Sequence, residues 1–389
     1  MKPLHFPDDL NSANFLKEYW QKRPLLMRGG LSGYTCPLSA EELAGLACEE
    51  EIESRMVLEK DGTRPWEART GPFDEQAFAG LPSSHWTLLV QDVDKHIAEV
   101  AELLEPFRFI PDWRLDDIMI SYAVDQGSVG PHIDDYDVFL IQAEGRRRWL
   151  IDSKPGLESN FIPDLDLRLL PDFTPEYDWL MEPGDVLYLP PNVPHWGIAE
   201  GDGCMTCSVG FRTPTFQEMT SAWCDELIEH QVPDGRYRDG ELAEQSAPAE
   251  IGAASLSRVR EHLLRFLQLD PEQQERWFGR YITEPKDHLQ IEPLEEPISA
   301  TQFLNRLRSE GKIERNSGSR YAFIRGQADD DYLFVSGREY PLAKGNGKFL
   351  ESITGMRILQ QEELEPWLGN DECLELLTQL YNHGHMLFP

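Results

Sequence analysis

Three residues in this chain have the types and spacing to hold a metal ion: His132, Asp134 and His195. Pro131-His132-Ile133-Asp134 runs directly into the apolar stretch Val138-Phe139-Leu140-Ile141. In a β-strand, residues i and i+2 share a face, so a strand here would send His132 and Asp134 inward together; a helix would splay them. Further on, Glu182-Pro183-Gly184-Asp185 turns into the short run Val186-Leu187-Tyr188-Leu189. Pro190, Pro191 and Pro194 then bend the chain to aim His195 inward. Two imidazoles and one carboxylate form a facial triad with three coordination positions left open. That suits non-haem iron(II), where an oxidant and a cosubstrate bind side by side. A hydrolytic zinc site needs only one open position. His-x-Asp alone is commonplace; the downstream Gly-Asp…Pro-Pro…His segment is what makes it a candidate centre.

The residues that follow sharpen the chemistry. Gly145 marks a turn, and Arg146-Arg147-Arg148-Trp149 opens the next strand. Alternation puts Arg147 and Trp149 on one face and Arg146 and Arg148 on the other. A guanidinium entering a barrel beside iron calls for an anion, and the distal carboxylate of 2-oxoglutarate fits its bidentate fork. Asp125, Asp135 and Asp137 lie close enough in sequence to bind a cationic substrate, and Tyr136 is placed to stack on one. Cys204-Met-Thr-Cys207 resembles a zinc or redox pair. No second CxxC or nearby His completes it, and strand residues three apart face opposite sides, so both read as buried thiols. His383-Gly-His385 reads as surface.

These groups need a scaffold of short strands. From the start to Thr213, β-rich runs at 86–91, 117–124, 138–142, 148–152 and 185–189 are punctuated by Gly, Pro and Asp, as in a β-sandwich or barrel. Helices are expected at 14–21 and at 40–48, the second capped by Ser39 with Glu41 and Glu42 in its first turn. From 214 to 296 the period becomes helical. Thr213-Pro214 reads as a cap, followed by Phe216, Met219, Trp223 and Leu227. A second helix bears Leu256, Val259, Leu263, Leu264 and Leu267, and a third opens at Asp270-Pro271. These amphipathic helices need a further surface to cover them, and a second copy of the chain is the expectation. Residues 297–389 read as a winged-helix-like unit: a helix at 298–309, strands at 321–324 and 332–335 split by an acidic turn at 329–331, and helices at 348–353 and 371–381. It has no basic stripe, so direct nucleic-acid binding is not expected.

Composition bounds the rest. The chain has 389 residues, with 36 Lys and Arg against 69 Asp and Glu, a formal net charge of −33. Such a surface repels nucleic acid and anionic lipid and attracts basic partners. Six scattered cysteines suit a reducing compartment, and no apolar run is long enough to span a membrane, so a cytoplasmic location is expected.

His132-Ile-Asp134, Asp137-Val-Phe-Leu-Ile-Gln142, Gly145-Arg-Arg-Arg-Trp149 and Pro190-Pro-Asn-Val-Pro-His195 together resemble the JmjC ribosomal oxygenases. So does the opening Phe15-Leu-Lys-Glu-Tyr-Trp-Gln-Lys-Arg-Pro24. The resemblance is strongest to bacterial members that hydroxylate an arginine of large-subunit ribosomal protein L16, and it runs the length of the chain. It implies a double-stranded β-helix (cupin/JmjC) barrel over 1–213, a helical dimerisation region over 214–296 and a winged helix over 297–389. It also implies iron(II) on His132, Asp134 and His195, with 2-oxoglutarate held by Arg147 and helped by Ser121, and a basic ribosomal protein as substrate. At the nearby position where the family uses a second small hydroxyl, this chain has Ala123. Rival readings keep the iron site but act on histidine or methyl-lysine, replace the iron with zinc or manganese in a cupin isomerase, or make the chain a silent binding protein.

Overall fold

The computed structural model describes residues 3–59, 66–152, 161–162, 167–230, 232, 234–238, 240, 244, 247–267, 270–289, 291–326 and 330–389. The chain divides into two compact units, Met1–Thr213 and Pro214–Pro389.

The first unit is built on strands β1 (Leu25–Met27), β2 (Ser54–Glu59), β3 (Trp66–Thr70), β4 (Trp86–Val90), β5 (Leu115–Ala123), β6 (Asp137–Glu144), β7 (Arg147–Ile151), β8 (Tyr177–Met181), β9 (Val186–Leu189), β10 (His195–Ala199) and β11 (Cys204–Phe211). A large sheet runs β1-β9-β6-β11-β5-β4-β2-β3 and a small one β10-β7-β8, with every pairing antiparallel. β6 and β11 are central and buried on both faces. The pleat divides their side chains. Phe139 and Ile141 enter the main core with Phe15 and Tyr188, whose rings meet edge to face at 4.9 Å. Val138 and Leu140 point the other way and join Trp149 and Ile151 of the small sheet, closing the barrel.

Phe15 lies on a helix over Ser12–Glu18, started by Asn11, and a second helix covers Ala40–Leu46. Ser39 and Glu42 form a reciprocal capping box on the second. That helix stops short of residue 48 because the Ala47 carbonyl leaves the helical pattern to accept the Phe73 N–H.

In the second unit, the helix Phe216–His230 starts later than Thr213-Pro214 suggests. Thr215 accepts from the Glu218 N–H while the Glu218 carboxylate accepts from the Thr215 N–H, so Thr215 is the cap and Pro214 precedes it. The helix Ala253–Leu267 follows; the side chain of Leu267 lies outside the described residues. Helix Pro271–Thr283 begins on Asp270 with proline at its first position, as expected. It lies against the sheet β13 (Tyr321–Ile324)-β14 (Asp330–Val335)-β15 (Arg338–Ala343), so closely that a Cβ at Gly279 would sit 2.4 Å from the Phe334 ring. Trp277 on this helix packs on Trp223 at 4.8 Å. Helices Ala300–Glu310 and Asp371–Asn382 complete the unit with a small sheet β16-β12-β17, where β12 is Lys312–Arg315, β16 Ile358–Gln360 and β17 Met386–Leu387. Phe303, Leu307, Leu350 and Leu377 form its core, and no division falls near residue 296. Asp330 and Asp331 belong to β14 rather than to the expected acidic turn, because both pair with β15; Asp329 lies outside the described residues.

Candidate metal centre

His132 and Asp134 are not on a strand. His132 forms a single antiparallel bridge with His195, the first residue of β10, and Asp134 lies in the loop entering β6. The bridge still fixes the histidines: the N–H of each donates to the carbonyl of the other at 3.0 Å, and the rings stand 4.2 Å apart. Asp134 is tied in through its carbonyl, which accepts the Asn192 N–H at 2.7 Å. Asn192 has φ of +64°, a left-handed conformation that asparagine tolerates better than most residues.

Both histidines are held in one tautomer. His132 Nδ1 lies 2.9 Å from the Gly130 carbonyl, and His195 Nδ1 is 2.9 Å from the Val193 carbonyl. A carbonyl only accepts, so each Nδ1 carries the proton and each Nε2 presents a lone pair. Those two nitrogens lie 3.9 and 3.5 Å from Asp134 Oδ2, and the three ligand atoms fall within 4.8 Å of one another. Burial and the neighbouring His195 push His132 down to about 4, so it is neutral at physiological pH. Burial alone would raise the Asp134 carboxyl. The facing histidines and a hydrogen bond from Tyr136 bring it below its ordinary value instead. A neutral His132 imidazole and an ionised Asp134 carboxylate are protonation states that suit a divalent metal.

The triad opens into a cavity of about 480 Å³, also lined by Ser121, Tyr136, Arg147, Trp149, Thr206 and Ser208. Strand β7 alternates as expected: Arg147 and Trp149 are buried while Arg146 and Arg148 are exposed. Arg148 pairs with Asp178 and Glu200. Arg147 is only 4% exposed, and among the described residues no carboxylate pairs with it. Among the described residues, its Nη2 and the indole Nε1 of Trp149 are buried without hydrogen-bond partners. A buried guanidinium without a counter-charge is strongly unfavourable, so these donors and the triad fit an anionic ligand that also reaches a metal.

Other expectations divide. Ser121 is buried on the cavity wall, its hydroxyl 3.5 Å from the Thr206 carbonyl. Ala123 sits with Ala199 and Cys204 in a small apolar cluster. Asp135 and Tyr136 line the cavity. Asp125 does not: it accepts the Gly201 N–H at 2.7 Å and braces a loop. Asp137 is likewise corrected. It is fully buried and satisfied by Tyr188, Gln21 and Arg114 within the chain. Sequence reading did not single out Asp116 and Asp117, at the start of β5, as site residues. Both carboxylates act on the Tyr136 phenol, after Asp134 and burial, holding it well above its ordinary value. It also missed Thr206 and Ser208, although their i, i+2 spacing puts them on one face of β11. The CxxC thiols diverge as expected, Cys204 toward Arg147 and Cys207 toward Tyr34. His385 is not on the surface: it is 3% exposed, with Nδ1 on Ser319, because the tail strand β17 pairs into its sheet.

Residues 102–219 match the JmjC domain model, and residues 260–386 match a ROXA-like winged helix. The chain is 35% identical over 379 residues to the ribosomal protein uL16 3-hydroxylase of Escherichia coli, covering 97% of this chain and 98% of that one. Its structure is similar to that of the E. coli ribosomal oxygenase YcfD in complex with cobalt and 2-oxoglutarate, with a TM-score of 0.83, 34% identity and 99% of both chains covered. A complex of the same enzyme with cobalt and succinic acid matches equally well, at a TM-score of 0.83 and 34% identity over 99% of each chain.

Proposed function

This chain belongs to the JmjC ribosomal oxygenases, and from that premise we propose that it is an iron(II)- and 2-oxoglutarate-dependent protein hydroxylase acting on an arginine side chain of ribosomal protein uL16. The observation that carries the reading is a buried, carboxylate-free Arg147 in the same cavity as His132, Asp134 and His195. A metal-chelating dianion with a distal carboxylate satisfies both ends. The E. coli complexes with 2-oxoglutarate and with succinic acid, its decarboxylated product, support that cosubstrate. When bound, iron(II) and 2-oxoglutarate supply the oxidising power for placing oxygen on an unactivated C–H bond.

The chain's own residues supply orientation and electrostatics. His132, Asp134 and His195 hold the metal, Arg147 anchors the cosubstrate, and Ser121 offers it a hydroxyl. Asp116, Asp117 and Asp135 surround Tyr136 with negative charge, which favours a cationic side chain over neutral histidine and gives the guanidinium a ring to stack on. Incubation with iron(II), 2-oxoglutarate and uL16 peptides should add one oxygen atom to arginine, read by mass. Loss of a methylene from methyl-lysine, or oxygen on histidine, would redirect the substrate and leave the chemistry standing.

In this reading chemistry falls to 1–213 and self-association to the helices Phe216–His230 and Ala253–Leu267, while the winged helix, matched over 260–386, takes in helix Pro271–Thr283. The helices Phe216–His230 and Ala253–Leu267 leave Phe216 86%, Ile228 64% and Leu263 60% exposed. Such a patch on a chain of net charge −33 supports an isologous homodimer. Among the described residues no helix is long and apolar enough to cross a membrane, and action on a ribosomal protein supports a cytoplasmic location. The acidic surface disfavours direct nucleic-acid contact.

A further inference from the structure

The guanidinium that anchors the cosubstrate is itself held by an unusual partner. Arg147 Nε donates to Cys204 Sγ at 3.5 Å, and the Gln142 amide donates to the same sulfur at 3.4 Å. Gln142 has only one orientation available. Its Nε2 also lies 2.7 Å from the Glu144 carbonyl and 3.3 Å from that of Met205, so this atom must be the donor. Its Oε1 accepts the Thr206 hydroxyl at 3.3 Å, and Thr206 lines the cavity. Thr206, Gln142, Cys204 and Arg147 therefore form one hydrogen-bonded chain; the first three are at most 1% exposed and Arg147 is 4% exposed. Ala199, directly opposite Arg147 on β10, and Ala123, opposite Cys204 on β5, keep the surroundings small.

We infer that Cys204 is a positioning residue for the cosubstrate: it orients Arg147 through a neutral, weak acceptor that leaves the cation's charge unspent. This rests on the 2-oxoglutarate reading above. A carboxylate at this position would hold Nε more tightly, but it would neutralise the guanidinium and compete with the incoming anion. A side chain with no acceptor would let a long, rotamer-rich arginine wander. Sulfur satisfies Nε alone, and the unpartnered Nη2 stays presented to the cavity. The thiol undergoes no chemistry in this role. Its contacts lie on the side of β11 away from Cys207, which meets Tyr34.

Calorimetric titration of manganese(II)-loaded protein with 2-oxoglutarate, and in parallel with oxalate, tests the idea. Oxalate chelates a metal but has no distal carboxylate. Cys204→Ala should weaken 2-oxoglutarate by about 3- to 10-fold, a modest range because sulfur is a weak acceptor, and leave oxalate unchanged. Cys204→Ser should restore most of the loss. Cys204→Asp should weaken 2-oxoglutarate beyond the alanine variant. In turnover the alanine change should raise KM for 2-oxoglutarate with kcat retained. An equal loss of oxalate and 2-oxoglutarate, an unchanged 2-oxoglutarate affinity, or tighter binding by the aspartate variant would overturn the assignment. If the unsubstituted protein binds oxalate but not 2-oxoglutarate, the cosubstrate reading itself fails. Full wild-type binding with an indifferent alanine variant sinks only the role of Cys204.

Discussion

The barrel cavity and the helices after Pro214 both leave something unfinished, but of opposite kinds. In the cavity the unmet groups are polar and converge: two Nε2 lone pairs, the Asp134 carboxylate, Arg147 Nη2 and Trp149 Nε1 all face one space. In the second unit the part-buried arginines of helix Pro271–Thr283 find their partners within the fold. Arg276 and Arg280 both pair with Glu339, and Arg280 also reaches Glu226. What remains open there is apolar surface on Phe216, Ile228, Leu256 and Leu263. Unmet polar valence inside a cavity calls for a small charged ligand and a metal. Unmet apolar area on a helix face calls for another protein surface.

The sharpest way to break this comparison is to remove the valence. His132→Ala or Asp134→Ala should abolish hydroxylation while the circular dichroism spectrum and the thermal transition stay close to wild type, because these ligands are not core packing. Wild-type succinate production by either variant would remove the metal assignment. The apolar side is tested by Leu263→Glu, which should convert a two-chain particle to a single chain in light scattering. Added salt should strengthen the unsubstituted assembly, since the −33 charge opposes it. A single-chain mass for the wild type would mean that the exposed stripe serves something other than self-association.

Within the cavity, Arg147→Ala should weaken 2-oxoglutarate by roughly 1.5–3 kcal/mol, about ten- to a hundred-fold, as expected for a charge-assisted bidentate pair. Arg146→Ala, on the exposed face of β7, should leave it unchanged, and equal losses would show the facing to be wrong. The smallest effect concerns His385, whose Nε2 is also buried without a partner but stands alone rather than beside a cavity of converging groups. Burial, with His383 and Arg338 adding to it, pushes its pKa from 6.5 down to about 4. Above pH 6.5 neither the folded nor the unfolded state is protonated there. Below it only the unfolded state takes up the proton, so stability is lost as pH falls from 6.5 toward 4. Urea titrations across that window should show a slope worth roughly 1–3 kcal/mol that His385→Gln flattens. An unchanged slope would mean that this histidine titrates as if exposed.

Much of the barrel was legible because its signals are local. The i, i+2 facing of Arg147 and Trp149 depends only on the pleat. The Ser39 capping box and the Asp270-Pro271 helix start depend on residues within one turn. Asp125 and Asp137 were misjudged because their partners lie far along the chain, at Gly201 for one and at Gln21, Arg114 and Tyr188 for the other. A carboxylate near a triad in sequence is as readily consumed by the scaffold as offered to a ligand. His385 was read as surface for the same reason, since β17 comes back to pair with β12.

The amino-acid order alone therefore marked the groups that are candidates for the chemistry and much of how the strands and helices are punctuated, because residue type, period and capping act over a few positions. Tertiary structure decided which charges remain unspent. The bridge between His132 and His195 sets both imidazoles side by side without a continuous strand, and the Gly130 and Val193 carbonyls fix their tautomers. Cys204, 57 residues from Arg147 in sequence, is brought within 3.5 Å of its Nε by the packing of two separate sheets. Whether a buried donor is satisfied depends on what lies across the fold from it, and only the closed barrel supplies that.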